Sequence, residues 1–112
     1  MISLKDRSTG NLTLLEVSGS LQSRDNRLFA AKLEQMQAGG AQKVIVSTSG
    51  LEYINSQAIA DLMVFYHRLH ESGGELALAG LQPIVDKVVR AVGLGELVTI
   101  FATVEEAQEA WG

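Results

Sequence analysis

The chain has 112 residues, is 46% hydrophobic, carries a formal net charge of −4 and contains no cysteine. That length and apolar content suit a single globular domain over residues 1–112 and exclude a disordered chain. The missing cysteines exclude disulfides, thiolate catalysis and cysteine metal sites. With no Lys/Arg cluster larger than a pair of neighbours, the basic stripe that neutralises phosphates is absent, which argues against direct nucleic-acid binding.

Ile2–Asp6 (ISLKD) and Leu12–Gly19 (LTLLEVSG), joined by the turn-rich RSTGN, predict two strands in a hairpin at a sheet edge. In the next stretch Ser23, Asp25 or Asn26 can cap a helix. Phe29, Leu33 and Met36 then recur at helical spacing, and Gly39–Gly40 supplies the stop. Lys43–Gly50 (KVIVSTSG) opens as a continuous apolar run, which predicts a strand covered on both faces, with LEYI after it as irregular or extended chain. From Gln57 the period turns helical, with Ile59, Leu62, Met63, Tyr66 and Leu69 on one face and Ser72–Gly73–Gly74 as the end. Val64 and Phe65 fall off that stripe, between Asp61 and Arg68. They are either exposed anchors for a partner or buried against a neighbouring loop.

Glu75–Leu81 (ELALAGL) predicts a short strand. Pro83 opens a helix with Val85, Val88, Val89 and Val92 as its stripe and Gly93 as its stop. Leu97–Thr103 (LVTIFAT) predicts the last strand. Thr103 and Glu106 form a capping box for a final helix whose Val104, Ala107 and Trp111 face inward. The order β-β-α-β-α-β-α-β-α implies an α/β fold: a mainly parallel central sheet with an N-terminal hairpin at its edge, packed by about four helices.

No apolar run approaches the roughly 20 residues needed to span a bilayer. The opening MISLKDRSTG has charge where a secretion signal is apolar. The expectation is a cytoplasmic protein without membrane insertion. A search for chemistry is mostly negative. His67 and His70 are three apart on one helix, without the carboxylate of an H-E-x-x-H motif, and read as surface or boundary residues with no metal. GGAQK and GLGEL are not Walker A loops, and GLGEL, between a helix and a strand, reads as a helix stop. The hydroxyl-rich Ser47–Gly50 (STSG) reads as a turn. No nucleophile–base pair is legible, so neither an enzyme nor a cofactor is expected.

The junction Asn55–Ser56–Gln57 carries more. Asn and Ser are leading N-cap residues, and the residues by themselves go no further than a cap. The same geometry nevertheless presents unpaired N–H groups and a positive dipole end, so a phosphate on Ser56 would meet donors already in place.

VIVSTSGLEYINSQAIADL, ESGGELALAGL and VVRAVGLGELVTIFATVEEAQEA, in this order and spacing, resemble the STAS domain family, named for sulphate transporters and bacterial anti-sigma factor antagonists. The first stretch is similar to the family text V-V-L-D-L-S-G-V-x-F-I-D-S-S-G-L-x-x-L. The resemblance implies a small α/β domain. In the antagonist branch it implies a hydroxyl at the start of the second helix that is phosphorylated by a partner both serine kinase and anti-sigma factor, and restored by a phosphatase. Carried over residue by residue, D-S-[ST]-G is Asn55–Ser56–Gln57–Ala58 here. Ser56 keeps a hydroxyl and is the candidate phosphosite, whereas Gln57 cannot accept phosphate. The family's nearby aspartates are Gln22, Ser47 and Asn55. The resemblance thus implies a non-enzymatic regulatory binding protein that docks through Asn55, Ser56, Gln57, Ala58 and Asp61. The alternative it leaves open is a non-phosphorylated accessory subunit of a lipid-transport ATPase complex.

Overall fold

In the computed structural model, which describes residues 2–111, five strands form one sheet in the order β1-β2-β3-β4-β5. Strands β1 (Ser3–Thr9) and β2 (Leu12–Leu21) pair antiparallel. Strands β3 (Lys43–Ile54), β4 (Glu75–Ala79) and β5 (Thr99–Phe101) continue the sheet parallel to β2. A 3-10 turn (Ser23–Asp25) leads into helix α1 (Asn26–Ala38). Helices α2 (Ser56–Glu71), α3 (Pro83–Ala91), the one-turn α4 (Leu94–Leu97) and α5 (Val104–Trp111) complete the fold. The expected α/β class, the hairpin edge and the mostly parallel sheet are all present.

The strand period of two divides the core between the sheet faces. Val44, Val46, Leu76 and Leu78 point to one side and pack with Phe29 and Leu33 of α1, Ile59 and Leu62 of α2, and Val85 and Val89 of α3. Ile45, Ala77 and Ala79 point to the other side, against Ala107 of α5 and the partly buried Phe101, Val104 and Trp111. Both faces of β3 are covered, as its uninterrupted apolar run requires.

Several boundaries differ from the sequence reading. β1 runs three residues further than Asp6, to Thr9, because Arg7, Ser8 and Thr9 continue the ladder opposite Leu14, Thr13 and Leu12. The hairpin therefore turns at Gly10–Asn11, where Gly10 adopts φ 63°. Ser47–Gly50 is not a turn and LEYI is not irregular chain; both belong to β3. The pairing with β2 slips between Glu16 and Ser18 and again between Gly19 and Ser20, so extra residues of β3 are absorbed as bulges and the alternation is lost.

Phe65 is 2% exposed, which overturns its reading as an exposed anchor, while Val64 is 50% exposed. The buried sector of α2 is wide, with Ala58, Ile59, Leu62, Phe65 and Leu69, because this helix packs on α1 as well as on the sheet. Met63 and Tyr66, expected on the buried face, are half-buried at its margin. The stripe of α3 is narrower than expected: Val85 and Val89 are buried, whereas Val92 is 45% exposed. Gly93, at φ 82°, does stop α3, but Leu94–Leu97 then forms a further helical turn. This shortens the last strand to Thr99–Phe101.

Candidate functional site

Helices α1, α2 and α3 each follow a strand of the parallel sheet, so their N-termini gather at the carboxyl ends of those strands. The junction from β3 to α2 lies there. Ile54, 4% exposed, anchors the end of β3 in the core. The chain leaves it through Asn55 in extended geometry, φ −92° and ψ 167°, and Ser56 starts the helix.

Asn55 engages both ends of its side-chain amide and its backbone carbonyl at this point. Its Oδ1 accepts from the Ala58 N–H at 2.9 Å, and its backbone carbonyl accepts from the Ile59 N–H at 3.2 Å. Its Nδ2 donates to the Leu21 carbonyl at 2.9 Å and to Asn26 Oδ1 at 2.8 Å. One half-buried amide therefore ties the end of β2, the start of α1 and the start of α2 to each other. Asn26 opens α1 and acts here as an acceptor across the fold.

Ser56 and Gln57 are exposed on the first turn. Their backbone N–H groups have no intrahelical acceptor by the geometry of a helix start. Gln57 donates through Nε2 to Asp61 Oδ1 at 3.1 Å, and Asp61 is half-buried one turn along. Ala58 is 0% exposed, so it presents no side chain to a partner and instead seats the helix on the core. The structure thus brings Asn55, Ser56, Gln57 and Asp61 to one surface and turns Ala58 away from it.

Gln22 lies beside the same junction. It lines a shallow depression with Ser23, Tyr53 and Asn55, and its backbone N–H donates to the Asp25 carboxylate at 3.0 Å. Asp25 therefore closes the 3-10 turn and makes no side-chain cap for α1. Ser47 is 5% exposed, and its Oγ lies 3.3 Å from Ser49 Oγ. It is an interior residue of β3 and does not line the depression beside the cap. Tyr53, 45% exposed on the wall of that depression, was not singled out by the sequence. Its only signal is a position two residues before the cap on a strand whose alternation is broken.

His67 and His70 are both exposed, with the Tyr66 ring against each at 5.2 and 5.7 Å. Among the described residues no group of three His, Cys, Asp or Glu side chains is placed to hold a metal ion. No described helix is long and apolar enough to cross a membrane. The Thr103 cap is present, its Oγ1 accepting from the Glu106 N–H at 3.1 Å.

The class defined by this fold and site is a small α/β domain that presents a hydrogen-bonded, polar helix start at the carboxyl ends of its parallel strands. The model of the STAS domain family matches residues 3–107, and the chain belongs to that family. A Mycobacterium tuberculosis protein named "putative anti-anti-sigma factor" is 29% identical over 101 residues, covering 88% of this chain and 68% of that protein. The crystal structure of a "putative anti-sigma factor antagonist" from Thermotoga maritima superposes with a TM-score of 0.88 at 22% identity, covering 96% of this chain and 92% of that one. The Bacillus cell fate determinant SpoIIAA in its phosphorylated form superposes with a TM-score of 0.79 at 21% identity, covering 98% of this chain and all (100%) of that one. At these identities the structural likeness is one of fold.

Proposed function

We propose that this protein is an anti-sigma factor antagonist-like regulator that docks on a serine kinase/anti-sigma partner through the start of α2 and is released by phosphorylation of Ser56. It works in this reading as a substrate and a switch, and carries no catalysis of its own. The observation that carries the reading is the exposed hydroxyl of Ser56 on a helix start already fixed by Asn55. Phosphate there adds about 1.5–2 negative charges and meets the open amides of the first turn. The cap keeps its shape, and the change falls on whatever contacts Ser56. The names of the relatives lend an anti-sigma factor as the partner, and its kinase activity comes from the family resemblance.

The test is direct. The full chain is incubated with ATP and histidine-kinase-like ATPases from its own organism, and phosphopeptides are located by mass spectrometry. Phosphate is expected on Ser56, and Ser56→Asp is expected to weaken binding of that kinase at least about tenfold, a difference of roughly 1.4 kcal/mol. Phosphate on another residue, or unchanged binding by Ser56→Asp, overturns the reading.

A second reading has its own observation. Gln57 cannot take phosphate and its side chain is engaged with Asp61, while Gln22 and Ser47 are neutral where the resemblance places acids. These features suit a constitutive accessory subunit of a lipid-transport ATPase complex. Copurification with such an ATPase, undiminished by Ser56→Ala, would favour it.

A further inference from the structure

At the opposite end of the sheet from Ser56, the last turns of α2, the first residues of β4 and β5, and the end of α5 surround a half-open hollow of about 210 Å³. Its walls include Tyr66, His70 and Trp111, with Leu76 and Leu97 as apolar lining and Glu75 as the one side-chain carboxylate among the described residues. No Lys or Arg lines it among the described residues.

The rings are held by packing. The indole of Trp111 stands at 89° to the ring of Phe101, with centroids 6.1 Å apart. Tyr66 stacks on His70 at 5.7 Å and 17°. Aromatic faces are negative, Glu75 adds a formal negative charge, and the carbonyl end of the α2 dipole is nearby, where the Gly74 N–H donates to the Leu69 carbonyl at 2.7 Å. All three fields favour a cation. An inorganic cation or a primary ammonium gives up strong hydration to enter such a site, whereas a methylated ammonium is weakly hydrated and matches aromatic side chains as well as charge. The hollow is smaller than the roughly 300 Å³ at which drug-sized pockets begin, so it accepts a headgroup and not a whole large ligand.

We infer that this hollow binds a quaternary ammonium group, with Trp111 and Tyr66 as its aromatic walls and Glu75 as its counter-charge. The inference is independent of the Ser56 reading, since it uses none of the residues at the start of α2.

Trp111 is the only tryptophan, so intrinsic fluorescence reports on this site. The full chain is titrated with tetramethylammonium at constant ionic strength and constant pH. Saturable change is expected in the millimolar range, with matching shifts of the Trp111 indole N–H in a nitrogen–proton NMR spectrum. Choline is expected to bind at least about fivefold more tightly than dimethylbutanol, its neutral carbon isostere. Glycine betaine, which brings its own carboxylate, is expected to bind more weakly than choline. Glu75→Gln, an exposed change that leaves the fold intact, is expected to reduce choline affinity about threefold and to abolish the preference over betaine. Absence of saturation up to on the order of 100 mM, where the binding free energy is only about 1.4 kcal/mol, overturns the inference. Equal binding of choline and its neutral isostere, or a choline response unaltered in Glu75→Gln, overturns it as well.

Discussion

Replacing Asn55 by alanine removes more than a cap. The Ala58 N–H loses its acceptor, a loss that costs about 1 kcal/mol at a typical helix start. The Leu21 carbonyl and Asn26 Oδ1 lose a shared donor, each bond being worth roughly 0.5–1.5 kcal/mol. Asn55 and Asn26 are half-buried, so water replaces part of what is lost, and the expected total is about 2 kcal/mol. Asn55→Asp separates the terms. It keeps the cap oxygen and gains a favourable charge at the positive dipole end, but it has no donor for Leu21. Asn26 can turn its amide to donate to the new carboxylate, so only the Leu21 bond is lost and the expected destabilisation is about 1 kcal/mol. Urea unfolding followed by far-ultraviolet circular dichroism and by Trp111 fluorescence measures both variants. A cost below about 0.5 kcal/mol for Asn55→Ala would refute the three-way tie, since that is the scale of an ordinary surface change. So would finding Asn55→Asp less stable than Asn55→Ala, because the cap term would then have the wrong sign.

Two further outcomes follow from packing. Phe65→Ala is expected to destabilise by about 3–5 kcal/mol and Val64→Ala by less than about 0.5 kcal/mol, a contrast between adjacent residues that chemical denaturation reads directly. Equal effects would mean that α2 does not pack its Phe65 edge on α1. Gly74→Ala would place a methyl group against the Gln42 carbonyl, where the space is taken by backbone at the start of β3. A loss of at least about 2 kcal/mol is expected on thermal or urea unfolding, and a neutral substitution there would show that the approach of the α2–β4 connection to β3 is looser than described.

Much of the architecture was legible because two periods dominate the sequence. Val44, Ile45 and Val46 reveal a strand covered on both sides, and Phe29, Leu33 and Met36 reveal one buried stripe, whatever the rest of the chain does. Where the reading failed, the cause was tertiary. For Phe65, off the stripe that faces the sheet, the sequence leaves exposure and burial against a loop both open; it is buried, but against α1 alongside α2, and no local pattern encodes the presence of a neighbouring helix. Ser47–Gly50 has the composition of a turn, yet bulged pairing with β2 holds it in the sheet. At the site, Asn55 was legible as a cap from its residue type and position. Its bonds to Leu21 and Asn26 span 34 and 29 positions and leave no mark in either local sequence.

The proposed switch has to be weighed against this rigidity. If residue 55 were an aspartate, a phosphate on Ser56 would meet a neighbouring negative charge. At about 5 Å each such charge pair is unfavourable by roughly 1–3 kcal/mol, depending on how far water screens it. Asn55 removes that repulsion while retaining the cap oxygen, and its Nδ2 keeps β2, α1 and α2 joined. Gln57 supplies no second hydroxyl, and Asp61 is already bonded to it. A phosphate on Ser56 would therefore release little strain within this domain, and the domain has no reason to rearrange. The free energy of the proposed switch must then arise in the contact itself, as desolvation of the phosphate and its repulsion by the docked surface. Amide hydrogen exchange of the isolated domain should be nearly unchanged by Ser56→Asp outside the first turn of α2, even where that substitution weakens binding. Widespread loss of protection in α1 and β2 would instead mean that the signal passes through the Asn55 tie.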